Sequence, residues 1–246
     1  MTTADITIIY EDDNIVVINK PAGIFVHRDA HMSAETMTVA DWHVERVPTA
    51  ANVGEPLDTP SGVLLRPGIV HRLDRETSGV MVLVKTPEAF TFLKAQFHDR
   101  EAKKEYRAFV YGELKEQKGV IDRPITRSAK DFRLKSAQRG GKGISRPALT
   151  EWECITGTST HSYVRMMPKT GRTHQLRVHM KAINHPIVCD KLYAPKHPCD
   201  LGFGRLALHA YSLTLIMVHP KGVEGEAMTF IAPEPEVFVS AKSLLI

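Results

Sequence analysis

The sequence predicts an α+β protein built on a mixed, mostly antiparallel central sheet. Runs with strand character outnumber helical ones, and the two do not alternate in the strict order of a parallel sheet. No linker in the 246 residues suggests a separable second domain, so a single domain spanning 1–246 is expected.

Taken in order, Ile6-Thr7-Ile8-Ile9-Tyr10 and Ile15-Val16-Val17-Ile18 read as strands joined by an acidic turn. Residues 29–68 are mixed and rich in Pro, Thr and Gly. They read as loop, apart from a short helix starting near Thr38 and running through Trp42 and Val44. Gly79-Val80-Met81-Val82-Leu83-Val84 is a continuous apolar run, as a strand buried on both faces requires. Thr86 then caps a helix with Pro87 at its first position, and Phe90, Leu93 and Phe97 follow at helical spacing. Tyr106 to Tyr111, Glu151 to Ile155 and Ser162 to Met167 read as further strands. From Thr173 to about Asn184, Leu176, Met180 and Ile183 mark an amphipathic helix stopped by His185-Pro186. Leu206 to Val218 and Ala227 to Ile231 complete the strands.

Composition excludes several classes. Hydrophobic residues make up 43% and charged residues 24%, too apolar for a disordered chain, and no apolar run has membrane-spanning length. The first residues lack the basic start and apolar block of a signal peptide. Cys154, Cys189 and Cys199 are odd in number and fit neither a disulfide framework nor a zinc site, so a reducing, cytoplasmic setting is expected. The net charge of +4 is mild, but its distribution is not. Residues 123–146 carry eight cations, among them Arg133, Lys135, Arg139 and Lys142, against the single acid Asp131. Such a stretch is an electrostatic footprint for phosphates, and its glycines suit a flexible basic loop. A solvated charge run is the alternative reading of the same residues.

Familiar catalytic signatures are absent. Gly140-Gly141-Lys142-Gly143 lacks the spacing of a phosphate-binding P-loop. His174, His179 and His185 are not spaced to converge on one metal, and no metal site is expected. His71-Arg72-Leu73-Asp74-Arg75-Glu76-Thr77-Ser78-Gly79 is nevertheless unusual, because it concentrates charge in a turn directly before a buried strand. A carboxylate between Arg72 and Arg75 stays ionised, and Thr77, Ser78 and Gly79 bend the backbone. Read alone, such a turn is equally a surface salt bridge.

This stretch resembles the HRLDxxTSG signature of the RluA family of RNA pseudouridine synthases. Asn19-Lys20-Pro21-Ala22-Gly23 resembles the family's KPxG segment, and Lys104-Glu105-Tyr106 its tyrosine-bearing strand. Thr170-Gly171-Arg172-Thr173-His174-Gln175-Leu176-Arg177-Val178-His179 resembles its TGRxHQ(I/L)RxH motif. His185-Pro186-Ile187 through Asp190 and Tyr193, then Leu208-His209-Ala210 with His219-Pro220, resemble its C-terminal landmarks, and Cys189 replaces the family's usual Gly. The resemblance runs from about residue 6 to about residue 233. An N-terminal S4 module, frequent in the family, is not expected because the first strand begins at Ile6.

The resemblance implies the pseudouridine synthase fold, with flanking helices and loops forming an RNA-binding cleft. It implies isomerisation of uridine in structured RNA without cofactor or metal. Asp74 is the implied catalytic carboxylate, Arg177 its ionic partner, and Tyr106 the ring against the uracil near C5. Arg72 enters the space left by the flipped base. His71, Lys20, Arg172 and Lys104 either contact RNA or hold the motif turns in place. From its charge, the segment 123–146, with Arg133, Lys135, Arg139 and Lys142, is expected to be an RNA-clamp insertion. A monomer acting on RNA is expected, with no membrane partner. The stretch Arg66-Pro67-Gly68-Ile69-Val70 favours large-subunit (23S) ribosomal RNA over tRNA.

Two other functions compete with this one. A non-catalytic RNA binder needs no carboxylate facing an anionic polymer, and a hydrolase of small substrates needs no +7 segment.

Overall fold

The computed structural model describes residues 3–245 except 29–31, 34, 60, 61, 65, 130, 132, 133, 138–140 and 219–223. It separates into two units, residues 1–103 with 212–232 and residues 104–211 with 233–246. In chain order come β1 (Thr7–Glu11), β2 (Ile15–Lys20), α1 (Val39–Arg46), β3 (Leu57–Thr59), β4 (Gly62–Leu64), β5 (Ser78–Val84) and α2 (Pro87–Asp99). Then come β6 (Lys103–Tyr111), β7 (Lys118–Asp122), β8 (Ile125–Arg127), β9 (Lys135–Ser136) and β10 (Lys142–Arg146). β11 (Leu149–Gly157), β12 (His161–Pro168), α3 (Gln175–Ala182), β13 (Leu208–Val218), β14 (Glu224–Ile231) and α4 (Glu236–Ser243) follow. Every strand pairing with a described register is antiparallel, in keeping with the mostly antiparallel sheet expected from the sequence.

In the first unit the sheet runs β1-β2-β5-β13, with β14 on β13. Ile15 to Ile18 and Val80 to Val84 are buried without interruption, which is why both segments read as continuous apolar runs. Their register sets Ile15 opposite Val84 and ends with Lys20 opposite Gly79, so the lysine of one motif meets the last residue of the other. Thr38 and Asp41 form a full capping box at the start of α1. Thr86 accepts the Ala89 N–H at 3.2 Å, with Pro87 at the first position of α2. At the other end Gln96 pairs with the Ile216 backbone in both directions, at 2.8 and 2.9 Å, fastening α2 to β13. Gly68 has φ +69°, and a side chain there would meet the His43 ring at 2.6 Å, so the turn after Arg66-Pro67 admits only glycine.

The second unit carries β6-β12-β11-β7. Its core gathers around Phe109, whose ring lies 4.7 Å from Tyr163, 5.2 Å from Phe203 and 5.6 Å from Phe238. Phe238 comes from α4, a helix the sequence does not predict. Phe238, Ala241 and Leu245 are buried at one-face helical spacing, and burying such a phenylalanine contributes roughly 1.5–3 kcal/mol.

The structure corrects the sequence expectations at four further places. Residues 29–68, expected as loop after α1, also hold a short 3-10 helix at Pro48–Asn52 and the β3-β4 hairpin. β7 is not foreseen, because its polar, half-exposed sequence carries little periodicity and is drawn into strand form by pairing with β11. The basic segment, expected as a flexible loop, contains β8, β9 and β10 as a three-stranded sheet ordered β10-β8-β9. It folds because Ile125 is buried with Ala148, Val178 and Tyr193, and Leu134 and Ala137 pack on that cluster. Finally, Cys189 and Cys199 form a disulfide, with Cα atoms 4.6 Å apart. A ten-residue turn brings them together, which spacing alone does not reveal. Among the described residues no helix is long and apolar enough to cross a membrane.

Two buried histidines make stability depend on pH. His43 Nε2 donates to the Val84 carbonyl at 2.8 Å, and His179 Nε2 donates to the Arg123 carbonyl at 2.9 Å. Burial is the main cause that lowers both pKa values. The unfolded chain therefore takes up protons near pH 6.5 that the fold resists, so stability is full above about 6.5 and is lost as pH falls below it. The melting temperature is expected to be flat from about pH 8 to 7 and to drop between about 6.5 and 5. In a His43→Gln/His179→Gln double variant the drop should shrink, and an unchanged acid-side slope in thermal melts would rule the histidines out.

Candidate active site

In the first unit, the turn carrying Asp74 is built from both sides. The Asp74 carbonyl accepts the Thr77 N–H at 3.1 Å, closing the turn, and Leu73, Thr77 and Ser78 are buried around the half-buried carboxylate. His71 Nε2 accepts the Val82 N–H at 3.1 Å while its ring stacks on Phe97 at 4.5 Å. That histidine therefore binds the turn to β5 and α2. Lys20 is fully buried, with Nζ donating to the carbonyls of Pro21, Ile24 and Arg75 at 2.8, 3.0 and 3.2 Å. The Gly23 N–H adds a bond to the Arg75 carbonyl at 2.8 Å, and Arg75 Nε returns one to the Gly23 carbonyl at 3.1 Å. The KPAG and HRLD segments are thus stitched together by a buried ammonium. Of the two roles open to Lys20 and His71, this placement is that of holding the turn.

Arg72 is exposed, and its Nη1 donates to His27 Nε2 at 3.1 Å. His27 Nδ1 lies 2.9 Å from the Arg28 carbonyl, which can only accept, so the proton sits on Nδ1 and Nε2 is the acceptor for the guanidinium.

In the second unit, Gln175 organises the TGRTHQLRVH motif. Its Oε1 accepts from the Thr170 hydroxyl at 2.7 Å and the Arg172 N–H at 3.0 Å. Its Nε2 donates to the Leu149 carbonyl and the Thr150 hydroxyl oxygen, both at 3.0 Å. Thr150 in turn donates to His179 Nδ1 at 2.9 Å, because the Nε2 proton of that ring is committed to the Arg123 carbonyl. Four polar residues of the motif therefore belong to one buried network that seats α3 on β11. Arg172 Nε reaches the Pro147 carbonyl at 3.2 Å, tying the same turn to the chain just after β10.

This network presents Arg177 on the buried face of α3. Asp190 takes it in a two-pronged grip, with Nε to Oδ2 at 2.8 Å and Nη2 to Oδ1 at 2.7 Å, and both side chains are almost wholly buried. Asp190 Oδ1 also accepts the backbone N–H groups of Leu192 and Tyr193, each at 3.0 Å. The guanidinium carbon lies 5.0 Å from the centre of the Tyr193 ring. The residue before Asp190, Cys189, has φ +58°, which explains why glycine suits that place in the motif.

Tyr106 lies on β6 opposite Met166 of β12 and packs half-buried against the Phe109 core. Lys104, two residues earlier, is half-buried beside Gly171, where a side chain would come within 3.9 Å of its Nζ. Burial pulls its pKa below the usual lysine value.

On the basic sheet, Arg127 is opposite Lys142 on one side and Lys135 on the other. Like charges placed directly across strands repel, so the sheet carries a row of three cations that destabilise one another. Burial, then Arg127 and Arg146, lower the Lys135 pKa. Arg133 and Arg139, and the His219-Pro220 landmark, lie outside the described residues.

Sequence reasoning assigns no role to Asp190, Gln175 or Tyr193 beyond their place in motifs. A usable signal exists for Asp190: Arg177 falls among buried positions of α3, and a buried guanidinium demands a carboxylate.

The profile of the RNA pseudouridylate synthase family matches residues 14–182. A protein of Synechocystis named an uncharacterized RNA pseudouridine synthase is 39% identical over 94% of this chain and 66% of its own length. The ribosomal large subunit pseudouridine synthase D of Neisseria meningitidis serogroup B is 40% identical over 97% of this chain and 60% of its own. The chain thus spans about three-fifths to two-thirds of the length of these relatives. Among solved structures, human RNA pseudouridylate synthase domain containing 4 superposes with a TM-score of 0.71 at 26% identity, covering 97% of this chain and 92% of that one. Family profile, relatives and fold agree with the motifs, and this chain belongs to the RNA pseudouridylate synthase family.

Proposed function

We propose that this chain converts uridine in structured RNA to pseudouridine, with large-subunit ribosomal RNA as its substrate. Family membership carries the reading, and the relatives named for the ribosomal large subunit favour that RNA over tRNA. The reaction breaks the uridine N1–C1′ bond, turns the base and joins C5 to C1′. The C5 proton leaves and N1 gains one, so nothing is oxidised and no group is added.

Asp74 is the catalytic carboxylate. The bracing of its turn by Lys20, His71 and the Asp74–Thr77 hydrogen bond supports this role, since a reacting group must be held to a fraction of an ångström. By its match to the family's motif, Arg177 is the ionic partner of Asp74. Tyr106 faces the uracil. Extruding the base costs a few kcal/mol, and the exposed Arg72 fills the gap by stacking on the neighbouring bases.

The basic sheet holds the backbone. Phosphates relieve the repulsion among Lys135, Arg127 and Lys142 and release their own counterions as they bind.

Asp74→Asn is expected to abolish pseudouridine formation in ribosomal RNA lacking the modification, read by nucleoside analysis after incubation with the purified protein. RNA affinity and melting temperature should stay close to wild type, because the change is nearly isosteric. Turnover near wild type would reject Asp74 as the catalyst.

A second measurement addresses the grip. In Arg127→Gln/Lys142→Gln/Arg146→Gln, the slope of log affinity against log salt should flatten by roughly 0.7–0.9 for every phosphate that the variant no longer neutralises. Identical slopes for variant and wild type would show the sheet to be a solvated charge run.

A further inference from the structure

Tyr193 belongs to no step of the reaction, yet it touches both the RNA-gripping sheet and the helix that carries Arg177. Its hydroxyl oxygen accepts the backbone N–H of Lys135 in β9 at 2.9 Å and meets His174 Nδ1, at the start of α3, at 2.8 Å. Its ring lies under two cations of α3, 5.0 Å from the Arg177 guanidinium carbon and 5.7 Å from Lys181 Nζ.

The ring itself cannot drift. It is 3% exposed and packed among Ile125, Ala148 and Val178, and its own backbone N–H is held by Asp190. The disulfide between Cys189 and Cys199 closes the segment around it.

We propose that Tyr193 is a positioning residue that couples the basic sheet to Arg177. The hydroxyl anchors β9 and so presets the cation row for RNA. The ring supports the guanidinium face while Asp190 holds its edge. A displacement of β9 on RNA binding then reaches the guanidinium through one rigid side chain. The inference rests on Arg177 serving Asp74 in catalysis, as proposed above.

The two functions of Tyr193 separate by substitution. Tyr193→Phe keeps the ring and removes only the hydroxyl. It strands the Lys135 N–H and loosens β9, so KM for the RNA should rise roughly 5- to 30-fold with kcat within about two-fold of wild type. Tyr193→Leu removes the ring as well. There kcat should fall by on the order of 10²-fold, since small misplacements of a reacting group cost that much.

A merely structural tyrosine predicts a different pattern: a lower melting temperature and less active enzyme, so that kcat falls at constant KM in both variants. That result, or wild-type kinetics in Tyr193→Phe, overturns the coupling. Asp74→Asn is run beside them. If it is inactive while the Tyr193 variants behave as wild type, only the coupling fails. If it turns over normally, the catalytic reading beneath it fails as well.

Discussion

The buried pair of Arg177 and Asp190 is the constraint around which the second unit is arranged. A guanidinium on the inner face of a helix cannot remain unpaired, since removing one partner of such a pair typically costs about 3–5 kcal/mol. Asp190 therefore has to arrive at α3 with both oxygens correctly aimed. That requirement accounts for the shape of the chain after the helix: the left-handed Cys189, the two backbone N–H groups converging on Oδ1, and the Tyr193 ring beneath the guanidinium. Apolar residues in place of the pair would cost the fold less.

The same logic runs through the motif on α3. Thr170, Arg172, Gln175 and His179 share a motif with Arg177, and their hydrogen bonds go to one another, to Thr150 and to the backbone of β11, residue 123 and residue 147. Gln175 fills its four places with protein partners, so none of its polar capacity is left for a substrate. These residues deliver Arg177, and their chemistry is positional. In the first unit, Lys20 and His71 do for the Asp74 turn what Gln175 does for α3. Each unit thus uses several strongly polar residues to hold one ionisable group in place.

The basic sheet follows the opposite rule. Its outer strand, β10, is exposed along its whole length, and its cations face one another across strands. The underside is apolar, where Ile125, Leu134 and Ala137 meet the Tyr193 cluster. Such a surface is repulsive to itself and is held from below by its apolar packing.

By itself the sequence determined the fold class, most strands and the helices with clear caps. Continuous burial leaves β2 and β5 as unbroken apolar runs, and Thr38 and Thr86 announce their helices by local hydrogen bonding. It also singled out Asp74, Tyr106 and Arg177, through the resemblance of their motifs to those of a known family. Tertiary structure alone decided the rest. β7 is a strand only because β11 offers it a partner, and the basic segment forms a sheet only because Tyr193, far along the chain from Arg146, supplies its floor. Asp190 pairs with Arg177, and Cys189 with Cys199, across turns whose closure depends on backbone conformation. Local propensity and periodicity act over a few residues and are written in the sequence. Ion pairs, polar networks and edge pairing act between distant residues, and these appear only once the chain has folded.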